Sequence, residues 1–163
     1  MNVLKGLQKF LIAIALVVLF ATLATGASFA KDKKDDDDGN VNVALSDDTN
    51  PTSWAVIAST NAVKHKKVTF HVTNISLSAT RPHELVIIKT DLSPDQLPRL
   101  ANGAADESQL QVIARTDRLT PGATADLKLK LKKGNYVLIC NIGGHYGLGM
   151  YTGFRVGKDD DDD

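Results

Sequence analysis

Short segments in which apolar and polar residues alternate recur along most of this 163-residue chain. The clearest is Lys67–Asn74, where Val68, Phe70 and Val72 fall on one face and polar residues fall on the other. A period of two is typical of a strand with one buried face, because successive side chains point to opposite sides of a sheet. Further strands are predicted at Val41–Leu45, Trp54–Ser59, Glu84–Thr90, Val112–Ala114, Ala125–Leu131, Tyr136–Cys140 and Tyr151–Val156.

Turn residues separate these segments, and one long connection carries a different signal. Ser93 is a good helix cap, and the proline after it suits the first helical position, so Pro94–Ala101 is predicted to be a short helix. Seven or eight short strands with spaced turns in one domain favour an antiparallel sandwich or barrel. We therefore expect an all-β domain over residues 41–157, with one short helix in its long connection.

The first thirty residues, 1–30, have the pattern of a secretory signal peptide. Two lysines precede the apolar run Phe10–Ala24, and Ser28 and Ala30 are small residues at the −3 and −1 positions of a cleavage site. An uncleaved membrane anchor is the alternative, because the apolar run approaches the length of a membrane span. Both interpretations predict an exported protein, periplasmic or extracellular, and membrane-attached only if the leader stays uncleaved.

Charge runs flank the predicted domain. Residues 31–40 mix lysines with a run of aspartates, and residues 158–163 are a lysine followed by aspartates. Like charges at this density repel one another and offer nothing to bury, so both segments are predicted to be disordered. An alternative is that they collect cations or dock a basic partner. Basic residues between the two runs are not clustered as in a nucleic-acid binder.

The residues best suited to chemistry lie between the last two predicted strands. Cys140, His145 and Met150 follow one another at intervals of five on a glycine-rich loop. The backbone freedom of glycine lets such a loop bring three side chains to one point. Thiolate, imidazole and thioether form a soft donor set that favours copper over magnesium, calcium or manganese. Because Cys140 is the only cysteine, no internal disulfide can occupy it.

A second histidine would complete a trigonal His₂Cys copper site with a weak axial methionine. His65 lies in a basic turn that would repel a cation, and His71 falls on the polar face of its strand. His83 follows Pro82 at the start of an apolar strand, a position that can lie at one end of a sandwich. The residues alone favour His83 but leave the choice open.

The spacing C-x4-H-x4-M after the strand YVLIC resembles the copper loop of the cupredoxins, the small blue copper proteins. The resemblance extends through Val68–Asn74, Pro82–Asp91 and Leu119–Gly122, so it covers most of residues 40–157. It implies a Greek-key β-sandwich that holds one type 1 copper ion. One departure from the family pattern is Glu84, where many members have an asparagine or serine near the thiolate.

The resemblance assigns the copper ligands to His83, Cys140, His145 and Met150. It implies a one-electron carrier that works between redox partner proteins. We also expect the protein to be a monomer and not an enzyme. A copper delivery or copper-sensing module is the alternative function. Zinc is a less suitable ion, because it gains little from a thioether. A multicopper oxidase needs histidines directly beside the cysteine, and Cys140 has none.

Overall fold

The computed structural model describes residues 39–47, 54–64 and 66–157. All of them belong to one compact unit, Lys34–Asp163. The predicted signal peptide, nearly all of the two charged segments, and His65 lie outside the described residues. Within the described ranges, no helix has the length and apolar character needed to cross a membrane.

Nine strands form two sheets in the described part of the chain. The strands are β1 (Gly39–Ser46), β2 (Ala55–Ala58), β3 (Ala62–Val63), β4 (Lys67–Asn74), β5 (Val86–Lys89), β6 (Gln111–Arg115), β7 (Thr124–Lys130), β8 (Gly134–Ile139) and β9 (Tyr151–Val156). One sheet has the order β2-β1-β4-β7 and the other the order β3-β9-β8-β5-β6. The predicted all-β sandwich is therefore confirmed, with β3 as one strand more than expected.

The sheets are mixed, although the sequence led us to expect antiparallel pairing throughout. β1 pairs with β4 in parallel, and β3 pairs with β9 in parallel, while the other neighbours are antiparallel. Parallel neighbours need a crossover, and here both pairs join strands that are not consecutive in the chain. The β1–β4 pair begins at Gly39, two residues ahead of the predicted domain boundary.

The core lies between the two sheets. Val68, Phe70 and Val72 of β4 are buried as predicted, and the Phe70 ring packs against Phe154 of β9, with centroids 5.2 Å apart. A second apolar cluster covers the other face of β5 and β8. These two strands are almost continuous apolar runs because both of their faces are buried.

Residues 94–101 contain turn residues and an isolated β-bridge between Arg99 and Ala105 instead of the expected helix. Pro98 has no backbone N–H and disfavours helical angles at the residue before it. That residue, Leu97, donates its N–H to the Tyr146 hydroxyl at 2.9 Å. The connection has its 3-10 turn further along, at Glu107–Gln109.

The register of β5, β8 and β9 brings the candidate ligands to one end of the sandwich. Val86 at the start of β5 pairs with Ile139 at the end of β8, and Ile139 pairs with Tyr151 at the start of β9. His83 precedes β5, Cys140 follows β8, and the loop from Cys140 leads directly to β9. The strand ends therefore position the site.

Candidate metal centre

Three of the four predicted ligands meet at the end of the sandwich where β8 ends and β5 and β9 begin. Cys140 Sγ lies 3.5 Å from His83 Nδ1 and 3.4 Å from His145 Nδ1. The donor atoms of all three residues lie within 4.8 Å of one another, and all three side chains are buried. In the described ranges, this is the one group of three or more His, Cys, Asp or Glu side chains spaced to hold a metal ion.

The spacing of these atoms suits a bound metal ion. An ion about 2.0 Å from nitrogen and about 2.3 Å from sulfur separates the two donors by about 3.5 to 3.8 Å at tetrahedral or trigonal angles. The observed sulfur-to-nitrogen distances of 3.5 and 3.4 Å lie at the lower limit of that range and just below it. An ion therefore fits after a small outward movement of the donors, and the soft thiol favours copper.

Cys140 is fixed by backbone contacts on both sides. Its N–H donates to the Met150 carbonyl at 3.0 Å, and its Sγ accepts the N–H of Glu84 at 3.5 Å. Burial raises the pKa of the Cys140 thiol to about 11, so the metal-free site holds a neutral thiol at pH 7.

Glu84 departs from the family pattern in its side chain, while its backbone contacts the sulfur. Its carboxylate lies 3.9 Å from the Arg115 guanidinium. Burial raises the pKa of Glu84, and Arg115 opposes that change. The group that reaches Cys140 Sγ is the backbone N–H, which any residue except proline would supply here.

His83 is held by a pair of backbone hydrogen bonds with Leu119, at 3.0 and 2.7 Å. The buried Asn74 amide strengthens this bridge by donating to the Leu119 carbonyl at 2.8 Å. Burial lowers the pKa of His83, and Asp47 partly opposes the change. The imidazole is therefore neutral at pH 7, with one nitrogen lone pair available to a metal.

His145 lies on the loop that follows β8. Burial, followed by the neighbouring His83, lowers the pKa of His145 to about 4. The two imidazole rings lie 5.0 Å apart between centroids. Both histidines are thus neutral at pH 7 and ready to bind a cation without first losing a proton.

A second loop, residues 102–105, packs against the ligand loop, the segment 140–150 that joins β8 to β9. Ala105 and Asn141 exchange two hydrogen bonds, at 2.7 and 3.1 Å, and the Gly147 N–H donates to the Gly103 carbonyl at 2.9 Å. Gly144 has a φ of +84°, and a Cβ there would lie 2.2 Å from the Asn102 carbonyl oxygen. Only glycine permits this approach, so the glycines of the motif serve contact with the second loop as well as the turn.

Met150 lies next to the other candidates along the backbone. It is fully buried, and its N–H donates to the His145 carbonyl at 3.2 Å. Its role as axial ligand stays a prediction. His71 lies apart from the cluster, on an exposed sheet face, where its Nδ1 is 2.8 Å from Asp126 Oδ1.

The sequence analysis missed three residues near the site. The Trp54 ring lies 4.7 Å from the His145 ring and 6.2 Å from the His83 ring, measured between centroids. The Arg81 guanidinium lies 4.9 Å from the Trp54 ring centroid and pairs with the buried Asp47. The only sequence signal was that Trp54 is the single tryptophan, and nothing local marked Asp47 or Arg81.

Comparison with known proteins supports the architecture. No protein-family model matches the sequence, and no curated protein matches it. Reduced auracyanin of Roseiflexus castenholzii is 21% identical with a TM-score of 0.51, over 73% of this chain and 97% of that one. An azurin of Methylomonas sp. strain J is 17% identical with a TM-score of 0.51, over 74% and 98%.

Rusticyanin from Thiobacillus ferrooxidans is 18% identical with a TM-score of 0.50, over 72% of this chain and 75% of that one. At these identities the similarity establishes the fold. This chain therefore has the cupredoxin fold, and its buried His83-Cys140-His145 group with Met150 nearby fits one type 1 copper site.

Proposed function

We propose that this protein is an exported, non-catalytic one-electron carrier with one type 1 copper ion. His83, Cys140 and His145 would hold the ion, and the buried Met150 would supply a further, weak donor. The observation that carries the proposal is the meeting of one buried thiol and two neutral imidazoles at a single point. Copper held there would supply one-electron chemistry by alternating between Cu(I) and Cu(II).

The three donor residues are anchored by the chain around them. His83 is fixed by its bridge to Leu119, Cys140 by its bond to Met150, and the ligand loop by Asn141 and Gly147. Such anchoring resists a change of geometry when the charge of a bound ion changes. A site that rearranges little suits rapid electron transfer, which supports a carrier over a module that releases its metal.

The side of the site nearest the solvent suggests where a redox partner would dock. His145 is 8% exposed, while His83 and Cys140 are fully buried. Leu148, on the same loop, is 47% exposed and offers an apolar contact surface. We propose that a redox partner protein approaches this face and that the protein works as a monomer.

The predicted leader at residues 1–30 supports export. The residues on either side of Cys140 support a non-catalytic role. Cys140 lies between Ile139 and Asn141. The trinuclear copper centre of a multicopper oxidase requires histidines there. The chain has four histidines in total, and two of them meet in the candidate site.

The deciding experiment is to add Cu(II) to the purified protein and record its visible spectrum. We expect one copper per chain and an intense thiolate-to-copper band in the oxidised form. Cys140→Ala removes the thiolate, so it should fold and lack the band, whereas His71→Gln should keep it. A parent protein without the band would refute the proposal.

A copper delivery role would be distinguished by exchange. An electron carrier should keep its ion through repeated reduction and reoxidation in the presence of a competing chelator. Rapid transfer of copper to the chelator, with the visible band intact beforehand, would favour delivery.

A further inference from the structure

Asp47 is a buried carboxylate beside the metal-binding cluster. It follows β1, its side chain is fully buried, and its Oδ2 accepts a hydrogen bond from Arg81 Nη1. Its other oxygen, Oδ1, lies 3.5 Å from His83 Nε2. Within the described residues, neither Oδ1 nor His83 Nε2 has a hydrogen-bond partner.

Two buried polar atoms that face each other without a hydrogen bond call for a physical explanation. A common N–H···O distance is about 2.9 Å, so a movement of about 0.6 Å would join them in a charge-assisted hydrogen bond. The two groups thus lie within a small movement of a hydrogen bond.

The pairing decides which ring nitrogen of His83 faces the cluster. A neutral imidazole has one N–H, and a carboxylate can only accept. With the N–H on Nε2, facing Asp47 Oδ1, the Nδ1 lone pair points towards Cys140 Sγ, 3.5 Å away. With the N–H on Nδ1, a lone pair on Nε2 would face the carboxylate, and the metal would meet a proton.

Arg81 compensates the charge of Asp47. Its side chain is 37% exposed and lies over Trp54, so the ion pair reaches from the interior to the surface. The negative charge of Asp47 would favour bound Cu(II) over Cu(I), and the positive charge of Arg81 would favour Cu(I). Removal of either one therefore leaves the other uncompensated.

Building on the copper carrier proposed above, we infer that Asp47 is the positioning residue for His83, and that the Asp47–Arg81 pair adjusts the reduction potential. Asp47 holds the Nε2–H tautomer, which presents Nδ1 to the metal. A hydrogen-bonded partner on the far nitrogen of a ligand histidine is a common device for fixing ring orientation. Here the partner is a side chain with a compensating cation of its own.

The first test uses metal-free protein, so it does not depend on copper binding. Nitrogen-15 NMR of the His83 side chain at pH 8 should show the Nε2–H tautomer in the parent. Asp47→Asn keeps an acceptor oxygen and should keep this tautomer, whereas Asp47→Leu removes the acceptor and should lose the preference. Asp126→Asn is the matched control, because it alters the other His–Asp pair, at His71. A parent that favours Nδ1–H would overturn the assignment.

The second test uses the reduction potential of the copper-loaded protein. Asp47→Asn removes a negative charge near the metal and should raise the potential. Arg81→Gln leaves Asp47 uncompensated and should lower it. A tenfold change in the relative binding of Cu(II) and Cu(I) corresponds to about 59 mV.

Opposite signs separate an electrostatic role from a merely structural one. If the ion pair only stabilises the fold, both substitutions loosen the same contact and should change the potential in the same direction or not at all. Asp126→Asn should leave the potential unchanged. Failure of the copper-carrier proposal would appear as the absence of a copper band, and the NMR result would still decide the role of Asp47.

Discussion

The indole ring of Trp54 lies 4.7 Å from the imidazole ring of His145, with the two planes inclined by 59°. Trp54 is the only tryptophan in the chain, so its fluorescence reports on the candidate metal centre alone. This relationship gives a direct optical probe of what binds there.

We expect one equivalent of Cu(II) to quench most of the Trp54 fluorescence, because an open-shell ion bound to His145 would lie close to the indole. Zn²⁺ has a filled d shell and should quench much less when it binds the same residues. Titration of the metal-free protein with each ion, followed by fluorescence, measures the difference. The Cys140→Ala variant should need a much higher Cu(II) concentration to reach the same quenching of Trp54 fluorescence. Unchanged fluorescence in the parent would contradict an ion beside His145.

The fold was predictable where its signal is local. β4 has a clear alternation, and its predicted bounds and buried face agree with the structure. β3 has two residues, too few for any period to appear. The expected helix at 94–101 had a good local signal that tertiary contacts override, since Leu97 bonds to Tyr146, far along the chain. Local pattern therefore predicts strands better than it predicts connections.

The residues of the candidate site also divide into those that a local sequence pattern marks and those that only the fold brings together. Cys140, His145 and Met150 share one loop, so their spacing alone marks them. His83 is 57 residues from Cys140 and needed the family resemblance to be chosen. Asp47 and Trp54 reach the site only through the packing of β1 and β2, and no sequence pattern around them marks them as part of a site. Groups that position the ligands are thus harder to predict than the ligands.

Gly144 and Gly143 form a matched pair for testing the support of the ligand loop. Both have positive φ, but an added Cβ at Gly144 would lie 2.2 Å from the Asn102 carbonyl oxygen, and one at Gly143 meets nothing within 4 Å. Gly143→Ala should lower the free energy of unfolding by about 1–2 kcal/mol, the usual penalty for the left-handed region. Gly144→Ala should lower the free energy of unfolding by about 1–3 kcal/mol more than Gly143→Ala, because the backbone at Asn102 or at residue 144 must move to make room for the Cβ.

Urea unfolding of both metal-free variants measures this difference. Equal losses of stability would show that Gly144 does not pack against the second loop as described. We also expect Gly144→Ala, but not Gly143→Ala, to weaken copper binding.

His83 and His71 provide a test of ligand identity. His83→Gly should open a coordination position that added imidazole can fill, and imidazole should restore the visible and paramagnetic spectra. His71→Gln should leave both spectra almost unchanged, since its ring pairs with Asp126 on an exposed sheet face. The reverse pattern would place the site on β4 and refute the assignment of His83.

Proton release on metal binding tests the protonation states of the free site. The pKa of Cys140 is raised to about 11, so at pH 7 the thiol is protonated and must lose its proton to become a ligand. The pKa of His145 is lowered to about 4, and that of His83 is also lowered, so both rings are neutral at pH 7 and a metal displaces no proton from them.

We therefore expect about one proton per Cu(I) between pH 7 and pH 9. The apparent affinity should rise about tenfold for each pH unit in this range, because the thiol pKa lies above it. Anaerobic calorimetry in buffers of different ionisation enthalpy counts the protons. The His83→Gly variant should still release about one proton per Cu(I). Release of two or more protons from the parent would mean that a histidine is charged in the free site.

The last prediction concerns Met150, which is buried and follows His145 by five residues on the ligand loop. A neutral thioether at long range contributes little to affinity, so Met150→Leu should still bind copper and stay coloured. Loss of a donor disfavours Cu(II) more than Cu(I), because the more highly charged ion gains more from each electron pair. The reduction potential should therefore rise, and a rise of about 59 mV would correspond to about 1.4 kcal/mol for one electron. Met150→Gln, which offers an oxygen donor in the same place, should lower the potential instead. Cyclic voltammetry of the three proteins measures both changes, and equal potentials for all three would mean that Met150 only packs beneath the loop.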